Sequence, residues 1–310
     1  MIDALLVVMS LIWGTNYSVV KSAFHELNPH AFNALRLMIA SAAFLIVIGA
    51  LQLRPLNTQG LAASVFQTPT RMTRRDVLEL LGLGIVGHFL YQYFFIGGLA
   101  LTTVANSSLL LAATPVVIAL IGAAVGQERV GPRHWAGAVL SMFGIYLVVG
   151  HNVSLDGRGL TGDLMMVVAV ICWSVYTLGA RRLVSRHSPV GVTGLSMSIG
   201  TVLYVPMVWP HLKAVAWSTI SLRTWLSVFY SAIFAFGVAY TIWYAAVRQI
   251  GSARTSVYSN IIPLVAMATA VVFLGEPFGL AHAAGAAAVL AGVALTRTAP
   301  QVHPQEPCEP

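Results

Sequence analysis

Ten long apolar stretches constrain this chain more than any other feature of its sequence. A hydrocarbon core about 30 Å thick is crossed by roughly 20 apolar residues in an α-helix. Because a bilayer offers backbone groups no hydrogen-bond partners, each stretch must satisfy its own backbone as a helix. The predicted spans are residues 3–22, 31–53, 77–99, 102–125, 133–150, 161–181, 189–210, 222–247, 253–274 and 278–297.

The shortage of charged residues leads to the same class of protein. Asp, Glu, Lys and Arg make up 9% of the 310 residues, whereas soluble domains carry about 25%. A water-soluble globule of this length would need more charged side chains to cover its surface. The composition predicts an all-α polytopic membrane protein, and it excludes a cytosolic enzyme, a secreted disulfide scaffold and a nucleic-acid-binding protein.

Basic residues are distributed unevenly between the two sets of predicted loops. One set holds twelve, namely Arg54, Arg71, Arg74, Arg75, Arg129, Arg133, Arg181, Arg182, Arg186, Arg248, Arg254 and Arg297. The other set holds four, namely Lys21, Arg158, Lys213 and Arg223. Because Lys and Arg favour cytoplasmic loops, the bias predicts that both termini are cytoplasmic. It also accounts for the net charge of +7 without a polyanionic partner.

The two halves of the chain are similar to each other. Near the start of each half, one register pairs Trp13 with Trp173 and Pro29 with Pro189. Further along, a second register pairs Ala105 with Ala253, Ser108 with Ser256, Pro115 with Pro263, Glu128 with Glu276, Gly137 with Gly285, and Gly144 with Gly292. Each half holds five predicted helices, so the second half enters the membrane from the opposite side. Such inverted repeats are typical of secondary transporters, with a substrate site near the bilayer midplane.

Two stretches resemble the EamA family of the drug/metabolite transporter superfamily. The first is IWGTNYSVVK at residues 12–21, and the second is YQYFFIGGLALTTVANSSLLLAATPVVIALIGAAVGQERV at residues 91–130. Residues 240–278 repeat the second pattern more loosely. The resemblance implies ten transmembrane helices, cytoplasmic termini, and export of amino acids or other small metabolites. It also implies that helices 1, 3, 4, 6, 8 and 9 line a central cavity.

The resemblance and the repeat together divide the chain into three parts. Residues 1–150 are the first EamA repeat and residues 161–297 are the second, each with five helices. The fold class predicted is therefore an all-α membrane protein of two inverted five-helix repeats. Residues 298–310, which include several prolines, are predicted to form a disordered cytoplasmic tail.

Aromatic and polar residues share helix faces deep in the predicted spans. Residues three and four positions apart lie on one face of a helix. Trp13, Asn16 and Tyr17 have this spacing in helix 1, and Trp173 with Tyr176 repeats it in helix 6. Because Trp13 lies about eleven residues into its predicted span, we expect these faces to frame a substrate cavity. The alternatives are core packing and the aromatic belts found at membrane interfaces.

Helices 3, 8 and 9 add further candidates for the same cavity. Helix 8 contributes Tyr240, Trp243 and Tyr244, and helix 3 contributes His88 and Gln92. Amide and hydroxyl groups at membrane depth must face protein or water. On this ground we assign Asn16, Gln92 and Asn260 to the cavity, while Ser108 and Ser256 fit helix packing equally well.

Few ionisable groups lie inside the predicted spans. Arg36 is about five residues into helix 2, where it could contact an anion or extend outward to the membrane surface. His88, at the middle of helix 3, could be a proton relay, a substrate contact or a hydrogen-bonded structural residue. No carboxylate is predicted at mid-membrane, which weakens a proton- or sodium-coupled mechanism. The residues do not distinguish uniport from proton-coupled antiport.

Prolines, glycines and glutamates mark the scaffold. Pro115 and Pro263 occupy equivalent points of helices 4 and 9, where each removes a backbone hydrogen bond. We assign them a gating or packing role. Glu128 and Glu276 fall at helix ends and predict end-capping. Glycines that recur at every seventh position predict close contact of helices 5 and 10: Gly137, Gly144, Gly285 and Gly292.

The sequence predicts a secondary transporter of the bacterial inner membrane that exports amino acids or related amphipathic metabolites by alternating access. The alternatives are an exporter or importer of drug-like, nucleoside or sugar-related compounds, or an intramembrane enzyme. The chain contains no HExxH, GxSxG or Walker A motif, so we expect no catalytic residue, metal or cofactor. The expected partners are the small substrate and the lipid bilayer, not nucleic acid, and a homodimer is left open.

Overall fold

The computed structural model describes residues 2–53, 65–68, 71–124, 132–150, 158–259, 261–277 and 279–297, and within these ranges its regular elements are all helical. The long helices are α1 (Ile2–Ala23), α2 (Pro29–Leu53), α3 (Arg74–Leu101), α4 (Val104–Ala112 and Thr114–Ala124), α5 (Pro132–Gly150), α6 (Arg158–Arg186), α7 (Pro189–Met207), α8 (Leu222–Tyr230, Ser231–Val238 and Ala239–Tyr258), α9 (Ile261–Leu274) and α10 (Leu280–Arg297). A short helix, Trp209–Lys213, and a 3-10 turn, Trp217–Thr219, lie between α7 and α8. The predicted tail, residues 298–310, lies outside the described residues, as do Glu128 and Asn260.

Six of these helices, α1, α2, α3, α6, α7 and α8, are long and apolar enough to cross a membrane. The other four contain shorter apolar stretches. The predicted all-helical, multi-pass membrane architecture is therefore confirmed at this level. Side-chain caps place several helix starts, since the Ser188 hydroxyl accepts from the Gly191 amide ahead of α7 and Thr103 does the same from Asn106 ahead of α4.

Helix α4 is broken where a single continuous span was predicted. The break falls at Ala113, between Val104–Ala112 and Thr114–Ala124. Pro115 has no amide hydrogen, so it cannot donate to the carbonyl one turn earlier, that of Leu111. The Thr114 hydroxyl donates to this carbonyl instead, at 2.6 Å, so the Leu111 carbonyl keeps a hydrogen-bond partner.

The predicted position of the loop between helices 8 and 9 is wrong. We expected helix 8 to end at residue 247, but the helical backbone Ala239–Tyr258 continues past that point. The turn falls instead at Ser259, before Ile261–Thr269 begins. Residues 253–258 therefore extend α8 rather than opening α9.

Helix packing repeats itself when the two halves are exchanged. The contact of α1 with α9 has its counterpart in that of α6 with α4, and the contact of α3 with α6 has its counterpart in that of α8 with α1. Likewise α2 packs on α8 as α7 packs on α3. The pairs α2–α7, α4–α9 and α5–α10 map onto themselves. The main contacts thus obey an exchange of helix numbers by five.

Helices α5 and α10 meet through the predicted glycine faces. A methyl group on Gly144 would lie 2.7 Å from the Val289 amide nitrogen, and one on Gly292 would lie 2.5 Å from the Gly137 carbonyl oxygen. Non-bonded Cβ contacts shorter than 3.0 Å essentially never occur in proteins, so a larger residue at either position would force the two helices apart. The glycines belong to the scaffold, as their spacing predicts.

Candidate functional site

A cavity of about 100 Å³ lies at the centre of the helix assembly. Its walls come from α1, α3, α4, α6, α8 and the start of α9, and α2 adds a single residue, Arg36, to the described lining. Ligand pockets usually hold roughly 300–1,000 Å³. The space is smaller here because aromatic rings occupy most of the centre.

Four aromatic rings form the core of this wall. Trp13 meets Trp173 edge to face at a centroid distance of 6.1 Å. The same indole lies 5.6 Å from the rings of both Tyr240 and Trp243. These distances are those of favourable aromatic pairs. One indole from each half therefore packs into a single cluster, which we call the aromatic cluster (Trp13, Trp173, Tyr240 and Trp243).

The Trp13 indole is held by the backbone of the other half. Its Nε1 donates to the Ala235 carbonyl at 2.9 Å. Ala235 lies in Ser231–Val238, where α8 adopts a π-helical form, and such segments break the regular i→i+4 ladder and are frequent at functional sites. The indole hydrogen bond therefore ties α1 to the irregular part of α8.

Helix α3 contains an equivalent irregular segment. Gly84–Leu90 is π-helical, and the register that pairs Pro115 with Pro263 places it opposite positions 232–238 of α8. After this segment, Tyr91, Gln92 and Phe95 all face the cavity. A π-helical turn takes up an extra residue, so the face presented by α3 differs from the one that regular helical spacing predicts.

His88 lies within this irregular segment. It is fully buried, is not among the described lining residues, and pairs through Nε2 with the Tyr176 hydroxyl at 3.1 Å. Tyr176 in turn packs edge to face against Tyr244, at 6.2 Å. All three were predicted as cavity residues, and the structure places them behind the cavity wall in one buried layer.

Arg36 is the charged residue of the described cavity lining. Its side chain is 1% exposed, so the alternative in which it extends to the membrane surface is wrong. Nε donates to Asn33 Oδ1 at 2.7 Å, Nη1 to Ser231 Oγ at 3.0 Å, and Nη2 to Gln92 Oε1 at 2.9 Å. The Phe236 ring lies 4.6 Å from Cζ, within cation–π range.

Two polar atoms in the cavity wall have no protein partner among the described residues. They are Asn16 Oδ1, a hydrogen-bond acceptor, and Trp243 Nε1, a donor. Their residues are 7% and 6% exposed. Because an unsatisfied buried polar group costs about 1–3 kcal/mol, these atoms and the guanidinium together favour a polar guest in the cavity.

The structure gathers most of the sequence-predicted site residues around one space. Those in the described lining are Trp13, Asn16, Tyr17, Arg36, Gln92, Trp173, Tyr240, Trp243 and Pro263. Asn260 and the side chain of Pro115 lie outside what is described. Sequence reasoning missed Tyr91 and Phe236. Helical spacing offered a signal for Phe236, which lies four positions before the predicted cavity residue Tyr240.

A second polar cluster lies at the junction of α1, α4, α6 and α9. The Glu276 carboxylate accepts from the Val104 amide at 2.9 Å and forms an ion pair with Lys21 at 3.3 Å. Glu276 thus caps a helix of the other half, the N-terminus of α4. Beside it, the buried carboxylate of Asp163 accepts from the Thr102 hydroxyl at 2.5 Å. No group of three metal-ligating side chains occurs within the described ranges.

Comparison with known proteins shows which family the sequence matches. The profile of the EamA-like transporter family matches residues 1–150 and 160–298. An uncharacterized transporter of Bacillus subtilis, YyaM, is 25% identical over 92% of this chain and 89% of its own length.

Two relatives carry a more specific name. Proteins from Salmonella typhimurium and Escherichia coli, each named a probable amino-acid metabolite efflux pump, are 26% and 23% identical over 94% of this chain and 92% of their own lengths. A solved crystal structure with 21% identity covers 94% of both chains with a TM-score of 0.64, which shows a shared fold.

Proposed function

We propose a function from the premise that this chain belongs to the EamA-like transporter family. It is a multi-pass membrane protein of that family, and we infer that it exports small amphipathic metabolites, amino acids or compounds related to them, by alternating access. The observation that carries this proposal is the central cavity, which joins apolar rings to unpaired polar atoms.

The symmetry of the packing supports alternating access. Transporters built from inverted repeats open to one side or the other by moving one repeat against its counterpart. In this chain the main helix contacts survive exchange of the two halves, and the equivalent residues Trp13 and Trp173 meet across the cavity. A rearrangement that separates helix contacts on one side of the cavity can therefore form the equivalent helix contacts on the other side.

The chemistry of the wall supports the amphipathic cargo. Indole and phenol rings offer apolar faces for a hydrocarbon or aromatic side chain. Asn16, Trp243 and Arg36 offer acceptor and donor groups within the same space. Two relatives named as probable amino-acid metabolite efflux pumps support both the substrate class and the outward direction.

Charge supports the orientation that we propose. The excess of Arg and Lys in one set of loops favours a bacterial inner-membrane protein with both termini in the cytoplasm. The transporter names of the relatives and the lack of a recognised enzyme motif in the sequence favour transport over catalysis. We therefore propose no catalytic residue and no cofactor.

Flux from loaded proteoliposomes tests this function. We expect vesicles that contain the protein to release apolar and aromatic amino acids faster than empty vesicles do. Sugar nucleotides and nucleosides serve as the comparison cargo, and hydrolysis in detergent serves as the test for an enzyme. Release of nucleotide-linked cargo but no amino acid, or turnover without flux, would overturn the proposal.

A further inference from the structure

We infer that Arg36 binds a carboxylate of the transported molecule, so that the cargo is an organic acid with an apolar body. This inference rests on the proposed function and names the substrate class of the same cavity. It begins from the charge of the guanidinium. None of the ion pairs among the described residues includes Arg36, and its three hydrogen bonds end on neutral oxygens.

A buried charge without a counter-charge is costly. The Phe236 ring face offsets part of that cost, but a ring quadrupole does not replace an anion. A guanidinium carries five N–H groups in a fixed fork that matches a carboxylate. Three of the five are engaged by Asn33, Ser231 and Gln92, and Arg36 borders the cavity. The remaining donors are available to a guest.

The rest of the wall selects for acids over amines. No Asp or Glu is found in the described lining of the cavity, so an ammonium group meets no counter-charge there. Trp243 Nε1 supplies a further unpaired donor, which suits an anionic oxygen. An amino group on the cargo is therefore tolerated through ring faces and Asn16 Oδ1, while the carboxylate makes the charged contact.

The two halves differ at this point, which gives the cargo an orientation. The register that pairs Trp13 with Trp173 places Ser196 opposite Arg36. The later register of the repeat places Tyr240 opposite Gln92. The guanidinium and its amide partner thus belong to the first half only. We place the carboxylate against α2 and α3, and the apolar body against the aromatic cluster.

Matched pairs of acids and primary amides test the inference in the full-length protein. The probes are L-phenylalanine with L-phenylalaninamide, and 3-phenylpropanoate with 3-phenylpropanamide. We expect the acid of each pair to bind and move with at least about 30-fold advantage, the ratio that corresponds to the lower limit for losing one partner of a buried charge pair. Equal binding and equal transport of the acid and the amide would overturn the inference.

Two substitutions separate charge recognition from folding. Arg36→Gln should abolish the preference for acids. Gln92→Glu should do the same while preserving the fold, because it places a carboxylate where Gln92 Oε1 now lies, 2.9 Å from Nη2. Ser41→Ala is the control. Ser41 lies on the same helix as Arg36, but it is not in the described cavity lining, and its hydroxyl forms a 2.8 Å hydrogen bond with the Thr201 hydroxyl. Retention of full acid preference in a folded Gln92→Glu protein would overturn the inference.

The outcomes distinguish the inference from the proposed function. If the protein moves neutral amides and not acids, the transporter proposal stands and the carboxylate site fails. If neither member of any pair moves or binds, both fail. If acids move and Gln92→Glu blocks them, both are supported.

Discussion

The indole rings of Trp13 and Trp173 meet edge to face, with their centroids 6.1 Å apart. The two residues hold equivalent positions in the two halves of the sequence. Their hydrogen bonding differs, however. Trp13 Nε1 donates to the Ala235 carbonyl, whereas no bond from the Trp173 indole is found in the described part of the chain. The two residues are therefore equivalent in position but differ in hydrogen bonding.

This asymmetry predicts different effects of the same substitution. Trp13→Phe leaves the Ala235 carbonyl without its donor, so we expect a loss of stability of about 1 kcal/mol and a lower Tm. Trp173→Phe breaks no such bond, so it should lower the Tm less, through lost ring packing alone. Both changes remove indole surface from the cavity and should raise the KM for cargo by about 5-fold. Flux assays and thermal unfolding in detergent measure the two effects, and a wild-type KM in both variants would contradict the paired aromatic wall.

Two glycines in α3 should respond oppositely to alanine. A methyl group on Gly87 would overlap the Tyr176 ring, whereas one on Gly82 meets nothing within 4 Å. We expect Gly87→Ala to cost about 1–3 kcal/mol through overpacking. Gly82→Ala should gain up to about 1 kcal/mol from helix propensity. Thermal unfolding of the two variants tests the close approach of α3 and α6, and equal stabilities would show that this contact is looser than the structure shows.

The cap formed by Glu276 should contribute to stability. Glu276→Gln removes the charge that pairs with Lys21 and weakens the bonds from the Val104 amide. We expect a loss of about 1–3 kcal/mol. The matched control is Arg75→Gln, which breaks an ion pair whose arginine is 75% exposed and should change stability by less than about 1 kcal/mol. Similar losses in both variants would argue against a special role for this cap.

His88 should behave as a structural residue rather than as a proton relay. It is buried behind the cavity wall and bonded to Tyr176. We expect His88→Gln to lower the Tm and to leave the dependence of flux on pH unchanged. Flux measured across a pH series in wild type and variant provides the test. A flattened pH profile in a stable variant would restore the relay hypothesis.

Native cysteines provide a test of orientation. Cys172 is buried, and Cys308 lies in the predicted cytoplasmic tail. In intact cells we expect a membrane-impermeant maleimide to spare Cys308 and to react with it only after permeabilisation. Asp156→Cys, in a Cys308→Ser background, should react without permeabilisation because residue 156 lies in a predicted periplasmic loop. The reverse pattern of labelling would contradict the proposed topology.

The sequence by itself determined the class of the protein and most of its cavity. A long apolar segment must form a helix in a bilayer, because its backbone groups find no other hydrogen-bond partners there. Spacing of three and four positions fixes which side chains share a helix face. Both are local properties, and they were sufficient to bring Trp13, Trp173 and Tyr240 to the lining of one cavity.

Only the tertiary structure decided which polar residues face that cavity. His88 lies within the π-helical segment Gly84–Leu90 and pairs with Tyr176 behind the wall, while Gln92, four positions later, lines the cavity and accepts from Arg36. The burial of Arg36 follows from oxygen acceptors on three other side chains, of which that of Ser231 comes from the other half of the chain. Such choices depend on hydrogen bonds and packing between helices distant in sequence, and these form only when the helices assemble.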